Sequence, residues 1–348
     1  MATIRCCYAG SKLFNNALKP CALHKVFRTA YMSVQSDERV EMLRELLKRK
    51  KEAGPEKPTH RNTYLEWNYQ AELYAFSKRL GENFVGNTLE RAFTQRSYVI
   101  HQESLQKELG LDDPERSFED NKTLAMKGEE LTRNFVSRYL RTAVPCLPEE
   151  GIQHIRDHLL KEDNVANIIS KIGADELILC TDFPTEVQTR VSTFFALVGA
   201  IEESSGQERG ALFVRDFLVA SLSGQDIQSL IMPENPLGVL TEIYSREGKE
   251  APEPRLIVQA GVNTLIPSYR VALYSDKKYI GLGDGESVKI AVDNAALGVL
   301  WQLWGIPDGR FQFPYHLETS RVLSNSRTNV PESEWTRDRA KKNIPGAR

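Results

Sequence analysis

From Trp67 to about residue 232, apolar residues recur at three- and four-residue intervals, the spacing of a helix with one buried face. WNYQAELYAFSKRLGENF (67–84) and NTLERAFTQRSYV (87–99) predict helices, with Asn87 as a candidate N-cap. NKTLAMKGEELTRNFVSRYL (121–140) predicts a longer one, in which Leu124, Leu131, Phe135, Tyr139 and Leu140 recur at helical spacing. Gly128 sits inside it at a local cost in helix propensity, which close helix packing would explain. Further helices are expected at about 149–160, 163–172, 185–204, 207–220 and 223–232. No strand-like alternation stands out before residue 250, so residues 66–232 read as an all-α domain. Ahead of it, residues 31–65 hold a short charged helix, DERVEMLRELLKRKKEAGPEKP (37–58), which stops at Gly54-Pro55 and continues as a linker.

The pattern changes after residue 232. Residues 235–247 read as a helix, while RLIVQAGV (255–262) and PSYRVALYSDKKYIGLG (267–283) are strands rich in β-branched and aromatic residues. Ser287–Trp304 is an alanine-rich helix. The fold class expected is therefore α + α/β: an all-α domain followed by an α-β-β-β-α unit over 233–305. Residues 306–348 hold several prolines and few periodic apolar positions, and are expected to form a surface extension.

With 348 residues, 41% hydrophobic and 26% charged, the chain is long enough for two modest cores. It has no run of about 18 apolar residues, so no transmembrane helix is expected. Its five cysteines form neither a CxxC pair nor a disulfide-dense pattern, which fits reduced thiols. His154 and His158 have metal-binding spacing but no third ligand nearby in sequence, so neither metal nor cofactor is expected.

The net charge of −2 hides an uneven distribution. Arg5, Lys12, Lys19, Lys25 and Arg28 precede the first acid, Asp37, and this basic, acid-free start reads as a mitochondrial transit peptide over residues 1–30. A plain basic tail is the other reading. Residues 66–232 carry 27 acids against 17 bases, so the helical domain repels a phosphate backbone except at local contacts. The last 28 residues carry seven bases against three acids and are the better electrostatic candidate for RNA.

Residues 283–296, GDGESVKIAVDNAA, resemble the last-helix motif of double-stranded-RNA-binding domains, G-x-G-x-S-K-K-x-A-K-x-x-A-A. Gly283, Gly285, Ser287, Ala291, Ala295 and Ala296 keep the frame, but of the three lysine positions only Lys289 survives, beside Val288 and Val292. The resemblance implies the fold and only weak duplex binding, since each lost phosphate contact removes a counterion-release contribution. Residues 235–304 total seven bases and eight acids, unlike a generic duplex binder. Lys277, Lys278, Ser287 and Lys289 are the candidate RNA contacts.

The helical domain resembles ribonuclease III. LERAFTQRSYV (89–99) is similar to that family's L-x-x-A-L-T-H-R-S-Y, with Gln95 at the histidine position. The 121–140 stretch falls on the signature N-E-R-L-E-F-L-G-D-x-x-L: Asn121, Leu124 and Gly128 match, Glu129 replaces the aspartate, and the two earlier glutamates are Lys122 and Ala125. RVSTFFALVGAIEESSG (190–206) resembles D-x-V-E-A-L-I-G-A, with Ser192 and Phe195 at the acidic positions. Family chemistry is phosphodiester hydrolysis on two metal ions held by four carboxylates. Carried onto this chain, the four positions are Ala125, Glu129, Ser192 and Phe195, which implies a catalytically degenerate domain with no catalytic residue and no metal.

WNYQAELYAFSKRLGENF (67–84), FFALVGAIEESSGQERGALFVRDFL (194–218) and NPLGVLTEI (235–243) resemble the branch of this family carried by mitochondrial large ribosomal subunits. That resemblance implies a structural role in the matrix, contacts with large-subunit ribosomal RNA and mitochondrial ribosomal proteins, and possible pairing with another ribonuclease-III-like domain. Two other readings stay open: a mitochondrial double-stranded-RNA endoribonuclease, and an RNA-binding regulator outside the ribosome.

Overall fold

In a computed structural model the described residues are 39–54, 61, 64, 66–109, 119–181, 183–307 and 311–343. The expected transit peptide lies outside them. The chain divides into two units, Met1–Pro58 and Thr59–Arg348. The first contains helix α1, residues 39–53. In the second, the helical part comprises α2 (Tyr69–Leu80), α3 (Thr88–Phe93), α4 (Arg96–Glu108), α5 (Lys122–Ala143), α6 (Glu149–Leu159), α7 (Glu162–Ile172), α8 (Val187–Ser205), α9 (Gln207–Phe213) and α10 (Ile227–Leu230). The α-β-β-β-α part is α11 (Pro236–Arg246), β1 (Glu253–Ala260), β2 (Ser268–Ser275), β3 (Lys278–Gly285) and α12 (Val288–Leu303), followed by α13 (Thr319–Ser324) and α14 (Arg337–Lys342).

Helix ends follow local chemistry, with one correction. Asn68 caps α2 by accepting from the Ala71 amide at 3.2 Å, and Gly81 ends it at φ 70°. Asn87 precedes α3 but makes no side-chain cap, because its backbone (φ −99°, ψ 18°) lies outside the extended region of an N-cap. The single helix expected over 87–99 is two helices. Thr94 turns extended and bridges Leu179, and the Gln95 amide donates to the Leu179 carbonyl at 3.0 Å.

α5 and α8 form the centre of the helical part, and they touch backbone to backbone. A Cβ on Gly128 would lie 1.9 Å from the Phe195 carbonyl oxygen, and one on Gly199 would lie 2.2 Å from that of Leu124. Around this crossing Leu131, Phe135, Tyr139 and Leu140 of α5 pack with Phe194, Leu197, Val198 and Ile201 of α8, all buried. α9 runs on through a π-turn at Val214–Leu218, which keeps Val214 and Leu218 in the same core.

The three strands form one antiparallel sheet in the order β1-β2-β3, with α12 packed on β2 and β3. Gly281, Gly283 and Gly285 alternate along β3 and so share a face. A Cβ on Gly283 would stand 2.2 Å from the Ala295 amide nitrogen, and one on Gly285 would stand 2.6 Å from that of Ala291. The glycines that the sequence pattern places before the helix are thus the end of a strand, bare so that α12 can lie against it.

Residues 311–343 do not behave as a surface extension. Trp335, Val322 and Ala340 are buried in the same core as α5 and α12. Asn329 Nδ2 donates to the carbonyls of Val144 (3.1 Å) and Leu147 (2.8 Å), Trp335 Nε1 donates to Cys146 (2.9 Å), and the Tyr139 hydroxyl donates to Pro314 (2.7 Å). The same segment holds α11: Arg246 Nη1 donates to the Glu332 carbonyl (2.6 Å), and the Arg337 amide donates to Glu247 (3.1 Å). Its apolar residues anchor singly between turns, so no helical period announces them.

Gly128→Ala is expected to cost about 3 kcal/mol or more in urea unfolding, because the opposing atoms are backbone and cannot rotate away. Trp335→Ala should cost about 3–5 kcal/mol in the same measurement. A cost near zero would mean that the C-terminal segment is not part of the cooperative core.

Candidate functional site

The four positions onto which the resemblance carries the nuclease carboxylates all lie on α5 and α8. Ala125 is half-buried against a small apolar cluster of Ala92, Leu124, Ala196 and Ala200. Phe195 is half-buried at the crossing, its carbonyl facing Gly128 and its ring edge-on to Phe194 at 5.7 Å. Ser192, one turn earlier on α8, is also half-buried. Glu129 is exposed and paired with Arg133 at 3.0 Å, an i,i+4 pair on its own helix. Lys122 is exposed at the first position of α5. Gln95 spans the start of α4 and α8, its amide donating to Thr193 Oγ1 at 2.9 Å and to the Thr189 carbonyl at 3.3 Å.

Acids do gather farther along the α5–α8 face, where helix distances alone would not place them beside bases. Glu203 receives Lys127 at 3.2 Å and lies 3.9 Å from Arg91, which also pairs with Glu119 at 3.1 Å. Glu202, Glu130 and Lys127 line a groove of about 450 Å³. Burial pushes the Glu202 carboxyl above the ordinary glutamate range; nearby Lys127 opposes this and Glu130 adds to it. Among the described residues no group of three or more His, Cys, Asp or Glu side chains is placed to hold a metal ion. His158 instead shares a hydrogen bond of 2.9 Å with the Gln225 side chain.

The candidate RNA contacts occupy two ends of the sheet. Asp276 (φ 51°) and Lys277 (φ 62°) form a tight β2–β3 turn with both central residues left-handed, which carries Lys277 and Lys278 into solvent. Ser287 caps α12 by accepting from the Ile290 amide at 3.2 Å, and Lys289 is exposed in the first turn of that helix. The structure brings Ser287 and Lys289 together. It leaves Lys277 and Lys278 at the far end of β3, roughly 23 Å away at the usual rise of a strand. At the Ser287 end, Arg270 and Asp284 pair across β2 and β3 at 2.6 Å, so that cation is already matched by an acid.

Two family models match the chain: Large ribosomal subunit protein mL44, endonuclease domain, over residues 68–201, and MRPL44 dsRNA-binding domain, over residues 231–336. These matches and the architecture define a ribonuclease-III-like helical domain followed by a double-stranded-RNA-binding domain. The chain is 33% identical over 278 residues to "Large ribosomal subunit protein mL44" of Caenorhabditis elegans, covering 78% of this chain and 68% of that protein. It belongs to the mL44 family of large ribosomal subunit proteins. The protein of the same name from Neurospora crassa is 31% identical over 111 residues, 31% of this chain and 25% of that one. "Ribonuclease 3" of Enterococcus faecalis is 26% identical over 216 residues, 60% of this chain and 87% of the bacterial protein.

An acid whose folded pKa is raised loses stability as pH climbs, because the unfolded form ionises first. Glu202→Gln is therefore expected to raise the melting temperature slightly at pH 7. The gain should vanish as pH falls through the ordinary glutamate range. A destabilised variant at pH 7 would show that the Lys127 attraction outweighs burial.

Proposed function

We propose that this protein is a structural component of the mitochondrial large ribosomal subunit, where it binds ribosomal RNA and neighbouring ribosomal proteins and supports subunit assembly and mitochondrial translation. Membership of the mL44 family, with one relative aligned across 78% of the chain, carries this reading. Residues 66–232 serve as a packing body and residues 233–305 as a modest RNA-contacting module, with residues 1–30 removed on import to the matrix. Lys277 and Lys278 at one end of the sheet, and Lys289 at the other with Ser287 holding the helix terminus, supply local phosphate contacts. Among the described residues no helix is long and apolar enough to cross a membrane, which is compatible with a matrix ribonucleoprotein.

The reading includes no nuclease activity. A two-metal site needs several carboxylate ligands on facing helices. Ala125, Ser192 and Phe195 offer none, and Glu129 is held by Arg133. The residues at these positions do not fit a pair of divalent ions. Ribonuclease-III-like domains pair through apolar helical faces, and pairing with such a domain is compatible with this role.

Sedimenting mitochondrial extracts on a density gradient tests the ribosomal role. The protein is expected in the large-subunit peak and should shift with it when subunits join. Its absence from that peak refutes the reading. Incubation of purified protein with duplex RNA and Mg²⁺ is expected to leave the RNA intact. Cleavage abolished by Glu129→Gln would make the chain a nuclease after all.

A further inference from the structure

β1 is an edge strand, and it is unusually bare. Leu256, Ile257 and Val258 are 47%, 52% and 49% exposed, so aliphatic side chains stand in solvent on both faces of the strand. In the turn that follows, Leu265 is 101% and Ile266 78% exposed. This turn is ordered: Gly261 takes φ 63°, and its carbonyl accepts from both the amide (2.8 Å) and the hydroxyl (2.6 Å) of Thr264. The leucine and isoleucine are therefore held outward by local structure.

Soluble proteins blunt an edge strand with lysine, proline, a bulge or a covering element. Here Glu253, Pro254 and Arg255 guard the start of β1 and a bulge interrupts it between Leu256 and Val258, but no charge or proline follows in the rest of the strand. From Leu256 to Tyr269 the sequence contains no charged residue, although 26% of the whole chain is charged. The partners available in a ribonucleoprotein are a polyanion and polypeptides. A surface without a cation releases no counterions from a phosphate backbone, so it gains little from RNA. Apolar side chains beside unpaired main-chain groups do suit an extended polypeptide, which supplies both a hydrogen-bonding ladder and apolar side chains.

We propose that the free edge of β1, together with Leu265 and Ile266, receives an extended apolar segment of a neighbouring ribosomal protein as a fourth strand of the sheet. Leu256–Ala260 offers roughly 17 Å of edge, which is room for about five residues of an added strand. This proposal rests on the ribosomal reading. It divides the labour of the domain: phosphate contacts come from the lysines at the β2–β3 turn and on α12, and the β1 edge is left to protein.

The test places a photoreactive benzoylphenylalanine at Ile257, and separately at Leu265, in the full chain expressed in cells, and isolates large subunits on a gradient. Both positions are expected to crosslink to the same short segment of a second ribosomal protein. Crosslinks to ribosomal RNA, to another copy of this chain or to its own residues 1–38 overturn the proposal, as does a subunit-bound protein that crosslinks to nothing. If the unsubstituted protein is missing from the large-subunit peak, the ribosomal reading itself fails, which is a separate result. In competition with wild type, Ile257→Lys/Leu265→Lys should enter the subunit at least about tenfold less well. An unchanged melting temperature of the free variant distinguishes lost docking from lost folding. Equal or improved entry, the result expected if RNA covered this edge, refutes the proposal.

Discussion

Two helices that touch through their peptide backbones set the geometry of the helical part. At the α5–α8 crossing, Gly128 faces the Phe195 carbonyl and Gly199 faces that of Leu124, at separations where a methyl group would overlap the opposing backbone. Helices carrying ordinary side chains stand 8–10 Å apart; here both contact points are glycine, so no Cβ holds the two backbones apart. Neither glycine is there for helix propensity, which each lowers. What they provide is a fixed register between α5 and α8, and that register sets where Ala125, Glu129, Ser192 and Phe195 stand. The close crossing therefore fixes the relation among these four positions, of which only Glu129 is an acid.

The same device appears in the second part of the chain. β3 is bare at Gly281, Gly283 and Gly285, and α12 presents Ala291, Ala295 and Val299 to it. In both places a run of small residues lets two elements approach until backbone meets backbone. The C-terminal segment then ties the two parts together. Asn329 and Trp335 bond to the turn after α5, while Glu332 and Arg337 bond to the end of α11. A module that can move freely on a linker is suited to searching for RNA. One fixed to its neighbour by buried tryptophan and main-chain hydrogen bonds is suited to holding a place in an assembly. The charge distribution agrees with this: many surface arginines are already paired with acids.

Much of this was legible in the residues. The periodicity of Leu131, Phe135 and Leu140 located α5, and that of Ile152, Ile155 and Leu159 located α6, because a buried face repeats at the pitch of the helix. Ala125, Ser192 and Phe195 were singled out for a different reason: the resemblance implies which positions the chemistry would need. The break at Thr94–Gln95 was not legible. It depends on Leu179, some 85 residues away in sequence, offering a carbonyl and an amide to an otherwise helical segment. Phe313, Val322 and Trp335 were missed as core residues because each fills a separate gap, and isolated anchors have no period.

The sequence by itself determined most of the helices up to residue 232, the helical part followed by an α-β-β-β-α part, and the family. These are local properties: spacing, residue chemistry, and the match of a motif to its positions. Tertiary structure alone decided that Glu203 would face Lys127 and Arg91, that Phe313, Val322, Trp335 and Ala340 of the C-terminal segment would be buried, and that β1 would be left without cover. Each of these depends on which surfaces meet across long stretches of chain. An exposed strand and a buried one can be written with the same Leu-Ile-Val, and the difference lies in what packs beside it.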